Sequence, residues 1–154
     1  MGLLVSLNLI AQTPAEKIPD FVFFKLNKSQ FTNKNIPAGK KAFFIFFDSD
    51  CEHCQKAVLN INQHYKEFNK TLIYLITLDG QEKVNNFIGK YGAGLIDKPN
   101  VTILQDKNNE FLTKFSPRKY PSMFLFSDKK KLLIYEDNEE SMFRIFKLLN
   151  VPVK

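Results

Sequence analysis

Phe43-Phe44-Ile45-Phe46-Phe47-Asp48-Ser49-Asp50-Cys51-Glu52-His53-Cys54, running on into Gln55-Lys56-Ala57-Val58, is the stretch that decides the fold. Its apolar run has no polar break, which suits a strand covered on both faces. Beyond a short turn, apolar side chains recur at Ala57, Val58, Ile61, Tyr65 and Phe68, a helical spacing. The stretch therefore reads as a buried strand, a turn, and a helix that opens on two cysteines. Asp50 is expected to cap that helix, its carboxylate accepting an N–H of the first turn. Cys51 then falls in the first turn, where unpaired N–H groups and the helix dipole favour a thiolate.

Cys-x-x-Cys spacing serves several chemistries. A structural zinc site takes four protein ligands. Cys51 and Cys54 are the only cysteines, and His53 and His64 the only histidines. His53 lies inside the pair, and His64 lies about 15 Å farther along a helix. One chain does not complete a zinc site from these, so no metal is expected. Haem attachment needs His directly after the second cysteine, where Gln55 stands. A plain structural disulfide would close a very small loop, and small loops constrain the unfolded chain least. These exclusions favour a redox pair that works without a cofactor. Soft thiolates also suit copper(I), so a copper(I) carrier stays open as the alternative.

The rest of the chain supplies a scaffold for this stretch. At 154 residues it is long enough for one domain with a real core, and a 44% hydrophobic content excludes a disordered chain. The net charge of +6 comes from scattered lysines. A nucleic-acid reader would carry a basic stripe and a recognisable module, and no nucleic-acid partner is expected. Residues 1–12 are apolar and too short to span a bilayer as a helix. They read as a signal-peptide remnant, with an N-terminal strand as the alternative. The expected single domain is 13–154.

Phe21 to Leu26 and Gln30 to Thr32 read as the arms of an N-terminal hairpin. Thr71 to Leu78 is a second central strand, parallel to the first because a helix separates them. Val84, Phe87, Ile88 and Tyr91 mark a one-sided helix over 81–91, ended by Gly92 or Gly94. Val101 to Leu104 is a further strand, and Glu110 to Phe115 a short helix. Met123 to Phe126 and Leu132 to Tyr135 form an antiparallel hairpin. Glu139 and Glu140 then lead a helix whose apolar face is Met142, Phe143, Ile145, Phe146 and Leu149. The fold class is α/β, a central mixed β-sheet flanked by helices.

The strand, the Cys51-Glu52-His53-Cys54 motif opening a helix, and Tyr120-Pro121-Ser122 ahead of a second apolar run resemble the thioredoxin superfamily. Pro19-Asp20-Phe21 and the added N-terminal β-hairpin extension resemble its TlpA/ResA-like extracytoplasmic branch. The resemblance covers roughly 21–150. It implies a thioredoxin-like fold, a cis Pro121 facing the cysteine pair, and thiol–disulfide exchange with protein substrates. Cys51 is then the nucleophile and Cys54 the resolving thiol. Tyr120 and Pro121 contact substrate, and Glu52 and His53 tune the redox balance. A membrane-bound electron donor, a periplasmic or secreted location and a monomeric state are the accompanying expectations.

Two departures matter. Cytoplasmic thioredoxins carry a buried acid six residues before the first cysteine, where Ile45 stands here, and a Trp just before it, where Asp50 stands. Glu52 or water is the expected substitute for that acid. Glu52 resembles the reducing TlpA/ResA-like proteins and His53 the disulfide oxidases and isomerases, so the direction of electron flow stays open. A thiol peroxidase reading lacks its Thr-x-x-Cys pattern, because Asp48 occupies the Thr position.

Overall fold

A computed structural model describes residues 12–151. The element order is β1 (Val22–Lys25), β2 (Gln30–Thr32), β3 (Lys41–Phe46), α1 (Glu52–Gln63), β4 (Thr71–Thr77), α2 (Gln81–Tyr91), β5 (Val101–Gln105), α3 (Glu110–Lys114), β6 (Ser122–Phe126), β7 (Leu132–Glu136) and α4 (Met142–Leu149). All but the last residue of the stretch read as a signal remnant lies outside the described residues.

The seven strands form one mixed sheet in the order β2-β1-β5-β4-β3-β6-β7. β3 pairs parallel with β4 and antiparallel with β6. It therefore has strands on both sides and side chains packed on both faces, which is why its apolar run is unbroken. β1 and β2 form the expected hairpin, and β1 joins the sheet by pairing antiparallel with β5. The connector ahead of it is also tied down. Ile18 N–H donates to Lys130 O at 3.1 Å, and Leu132 N–H donates to Glu16 O at 2.8 Å.

Alternation along β3 divides the core. Phe43, Ile45 and Phe47 face α1, α2 and α4, and pack with Ala57, Val58 and Ile61. Ala42, Phe44 and Phe46 face the other way, into a cluster that includes Phe111, Phe115, Phe124 and Phe126. The rings there interlock: Phe111 stacks on Phe115 with centroids 4.2 Å apart, and Phe46 stacks on Phe111 at 4.5 Å. Offset and edge-on ring pairs add to the stabilisation from area burial alone. On the first face, α1 and α2 approach closely at Gly92, where a Cβ would meet Val58 Cγ1 at 3.1 Å.

Local expectations fail at three places. α1 stops at Gln63, and Tyr65–Phe68 continues as a 3-10 turn that still buries Phe68. Glu139 and Glu140 begin a separate 3-10 turn, Glu139–Ser141, capped by Asn138 Oδ1 accepting Glu140 N–H at 3.0 Å. Phe143 lies off the buried stripe of Met142, Ile145 and Leu149; it is 51% exposed. Its ring takes cation–π contacts from Arg144 and Lys147, at 5.8 and 5.2 Å, in place of core packing.

β3 also anchors the far end of the fold. Lys41 Nζ donates to the carbonyls of Leu148 (2.6 Å), Leu149 (3.2 Å) and Val151 at the end of α4. The last carbonyls of a helix lack intrahelical donors, and this ammonium supplies them.

Candidate functional site

The parallel pairing of β3, β4 and β5 brings their C-terminal ends to one edge of the sheet. The residues just past those ends converge there: Asp48 after β3, Asp79 after β4 and Asp106 after β5. Chain segments beyond the carboxyl ends of parallel strands are where α/β folds place their sites.

Cys51 sits at the N-cap of α1, half-buried, and Cys54 is one turn on and fully buried. Both are free thiols. The Cys54 main-chain N–H donates to Cys51 Sγ at 3.3 Å. The expectation that Asp50 caps α1 is corrected: the Cys51 sulfur fills that place. The Asp50 carboxylate instead pairs with Lys83 on α2, which draws it away from the helix end. Its main-chain N–H donates to Asp48 Oδ1 at 2.8 Å.

Burial pushes the Cys54 thiol well above the ordinary cysteine range, and the hydrogen bond to Cys51 and the Asp48 charge push the same way. The Asp48 main-chain N–H opposes this by donating to the Cys54 sulfur. Burial alone would raise the Asp79 carboxyl as well. Hydrogen bonds from Ser49 and Lys83 outweigh it and hold Asp79 below the usual carboxylate range. Ser49 N–H reaches Asp79 Oδ2 at 2.9 Å, and Lys83 Nζ reaches Oδ1 at 3.3 Å. Asp106 is committed elsewhere, accepting the N–H groups of Glu110 and Phe111 at 3.0 and 2.8 Å to cap α3.

The Tyr120–Pro121 peptide is cis. Ser122 pairs with Phe46, so the two residues before it run beside the turn that carries Cys51. Ser122 Oγ donates to Lys119 O at 2.6 Å, and Arg118 N–H donates to Tyr135 Oη at 2.9 Å, which braces this loop. The Tyr120 ring packs on Phe46 at 4.8 Å. Burial, then the charges of Asp48 and Asp79, push its phenol up to about 12. Tyr120 is therefore a neutral phenol at physiological pH.

Glu52 and His53 face outward. Glu52 is paired with Lys56 at 2.9 Å, its side chain 75% exposed. His53 Nδ1 lies 2.7 Å from Glu139 Oε1. Neither is hydrogen-bonded to a sulfur. Among the described residues no group of three or more His, Cys, Asp or Glu is placed to hold a metal ion.

Sequence reasoning overlooked Asp79 and Glu139. The first was within reach. Once β3 and β4 are read as parallel neighbours, the first acids past each strand must lie together. Glu139 carried no such signal, because its meeting with His53 depends on how the turn after β7 folds back.

Comparisons with known proteins agree with this geometry. The AhpC/TSA family profile matches residues 14–134. The thiol-disulfide oxidoreductase ResA of Bacillus thuringiensis is 24% identical over 133 residues, covering 82% of this chain and 73% of that protein. Among solved structures, a thiol-disulfide oxidoreductase from Bacteroides fragilis superposes with a TM-score of 0.69 at 18% identity, covering 86% of this chain and 98% of its own. A thioredoxin-like protein from Aeropyrum pernix gives 0.68 at 13% identity, with 83% and 88% covered. The expected thioredoxin-like fold is the observed one, and with a family match spanning most of its length, the chain belongs to the AhpC/TSA family of thioredoxin-like proteins.

Proposed function

We propose that this chain is a thiol–disulfide oxidoreductase that exchanges disulfides with protein substrates through Cys51 and Cys54. The observation that carries this reading is the graded placement of the pair. Cys51 is half-buried at a helix start, and Cys54 is buried one turn behind it with its amide 3.3 Å from the first sulfur. The Cys54 N–H donated to Cys51 Sγ orients that sulfur, which attacks as the thiolate. That thiolate attacks a substrate sulfur, the substrate disulfide breaks, and a mixed disulfide forms. Cys54 then attacks Cys51 Sγ and frees the second substrate thiol. Tyr120 and Pro121 form the wall the substrate chain meets. Glu52 and His53 act on the pair through charge alone, since their bonded partners are Lys56 and Glu139.

The working direction in this proposal is reduction of substrate. Burial and a neighbouring acid disfavour the Cys54 thiolate. Only the Cys51 sulfur is then placed to favour the reduced form, and this reading takes that single contribution as too small to reach the oxidising end of the scale. The accompanying readings are an extracytoplasmic location, recharging by a membrane-bound donor, and a monomer. They rest on the likeness to ResA. Among the described residues no helix is long and apolar enough to cross a membrane.

The test is the Cys51/Cys54 potential in a dithiothreitol redox buffer, with insulin reduction alongside. A value near roughly −270 mV fits a reductase, and one near roughly −120 mV would reverse the direction. No insulin reduction together with stoichiometric copper(I) retention would replace the enzyme with a carrier.

A further inference from the structure

Cys54 must lose a proton before its sulfur can attack, and it is fully buried. The position of the thioredoxin acid offers no acceptor, and Glu52, expected with water as its substitute, is not placed for the task. Ile45 is apolar and fully buried at the position of the thioredoxin acid. Glu52 is turned to solvent and bonded to Lys56.

Asp48 is placed differently. It lies at the C-terminal end of β3, half-buried. Its carbonyl accepts the Cys51 N–H at 3.2 Å, and its own N–H donates to the Cys54 sulfur. One Asp48 residue thus bonds to both cysteines through its main chain. In its carboxylate, Oδ1 accepts the Asp50 N–H at 2.8 Å, which fixes the side chain. The other acids around this point are already committed, Asp79 to Ser49 and Lys83, and Asp106 to the start of α3.

On the reading of this chain as a thiol–disulfide oxidoreductase, we propose that Asp48 is the proton acceptor for Cys54 in the resolving step. In the mixed disulfide, the Cys54 thiol gives its proton to the Asp48 carboxylate. The sulfur attacks Cys51 Sγ, the Cys51–Cys54 bond forms, and the bond from Cys51 to substrate sulfur breaks. The departing substrate thiolate takes the electron pair of the broken bond and then the proton from Asp48. The enzyme dithiol is oxidised by two electrons, the substrate disulfide is reduced by two, and Asp48 ends as it began. Besides the two cysteines and Asp48, the titratable and charged groups facing this point are Asp50, Tyr120, Asp79 and Asp106, with Lys83 on α2 between Asp50 and Asp79. Tyr120 stays protonated through the working range.

The test is single-turnover reaction of the reduced full chain with glutathione disulfide, quenched in acid, with the mixed disulfide at Cys51 read by mass spectrometry. In Asp48→Asn the adduct should persist roughly 10²-fold longer at pH 7, the size of a lost general base. The deficit should shrink as pH rises and hydroxide takes over. Asp48→Glu should restore most of the rate. An Asp48→Asn protein that resolves the adduct at the wild-type rate across the pH range overturns the proposal. If the variant fails to fold, carbon-13 NMR of Asp48 in the wild type decides. Its titration midpoint should differ between dithiol and disulfide protein, and an unchanged midpoint overturns the proposal. Wild-type protein that forms no adduct and reduces no insulin would instead sink the oxidoreductase reading itself.

Discussion

The two faces of the sheet are cut from alternate residues of the same strands, yet they divide stability from reactivity. Phe44 and Phe46 point into a bed of interlocked rings, while Ile45 and Phe47 point toward α1 and Cys54. The ring face offers large, stiff, apolar side chains and little that can titrate near the sulfurs. The helix face is built from smaller side chains, which let α1 sit close and hold its first turn against the end of β3. Tyr120 packs against both clusters. A rigid face behind the sheet leaves the other free to carry a thiol whose burial is unfavourable for its charged form.

If that division holds, substitutions on one face should not show up on the other. The largest effect belongs to the helix face. Cys51→Ser should abolish insulin reduction, while Cys54→Ser should retain attack and accumulate mixed disulfide. Residual turnover by Cys51→Ser would break the comparison at its root. Next is the ring face. Phe111 is fully buried and stacked on Phe46 and Phe115. Phe111→Ala should lower unfolding free energy by about 3–5 kcal/mol, the range for large buried aromatics. The iodoacetamide reactivity of Cys51 in the protein that remains folded should be unchanged. A changed reactivity would mean the faces are coupled through Tyr120.

How far the sequence foretold this differs between the fold and the site. The strand over 43–47, the helix over 81–91 and the β6–β7 hairpin were legible because burial on both faces, one-sided spacing and a polar turn each leave a local pattern. The cap of α1 was misread for a related reason. Asp is a common N-cap residue, but the choice between Asp50 and Cys51 was settled by Lys83 on another helix. Phe143 was misplaced because spacing alone does not say where a buried stripe stops. The meeting of His53 with Glu139 required knowing how the turn after β7 folds back, which is tertiary information.

Two pH experiments sharpen the contrast within the helix face. Asp79 is held below the usual carboxylate range, so its contribution is present above its unfolded value near pH 4 and fades as pH falls through its folded one. Asp79→Asn should cost about 1.5–3 kcal/mol at pH 7, the range for a hydrogen bond to a charged group. The variant's stability should also fall less steeply in acid than the wild type's. Equal acid profiles would remove Asp79 from the account. Cys54 runs the opposite way, with a raised value and a neutral thiol in the folded state. The unfolded chain deprotonates first, so the dithiol form should lose stability as pH rises above about 8.5, by at most about 1.4 kcal/mol per pH unit. The disulfide form has no such thiol and should lack this loss. Parallel curves for the two forms would mean that Cys54 is better hydrated than its burial indicates. The smallest effect is outside both faces: Phe143→Ser should change stability by no more than about 0.5 kcal/mol, read as a denaturation midpoint.

The latch between Lys41 and the end of α4 has a practical use. Its ammonium donates to three main-chain carbonyls and is shielded while that helix stays docked. Amine-acylating reagents should therefore label the surface lysines long before Lys41. The lag makes this one side chain a covalent clock for helix departure, readable by peptide mass in a protein without tryptophan fluorescence to follow.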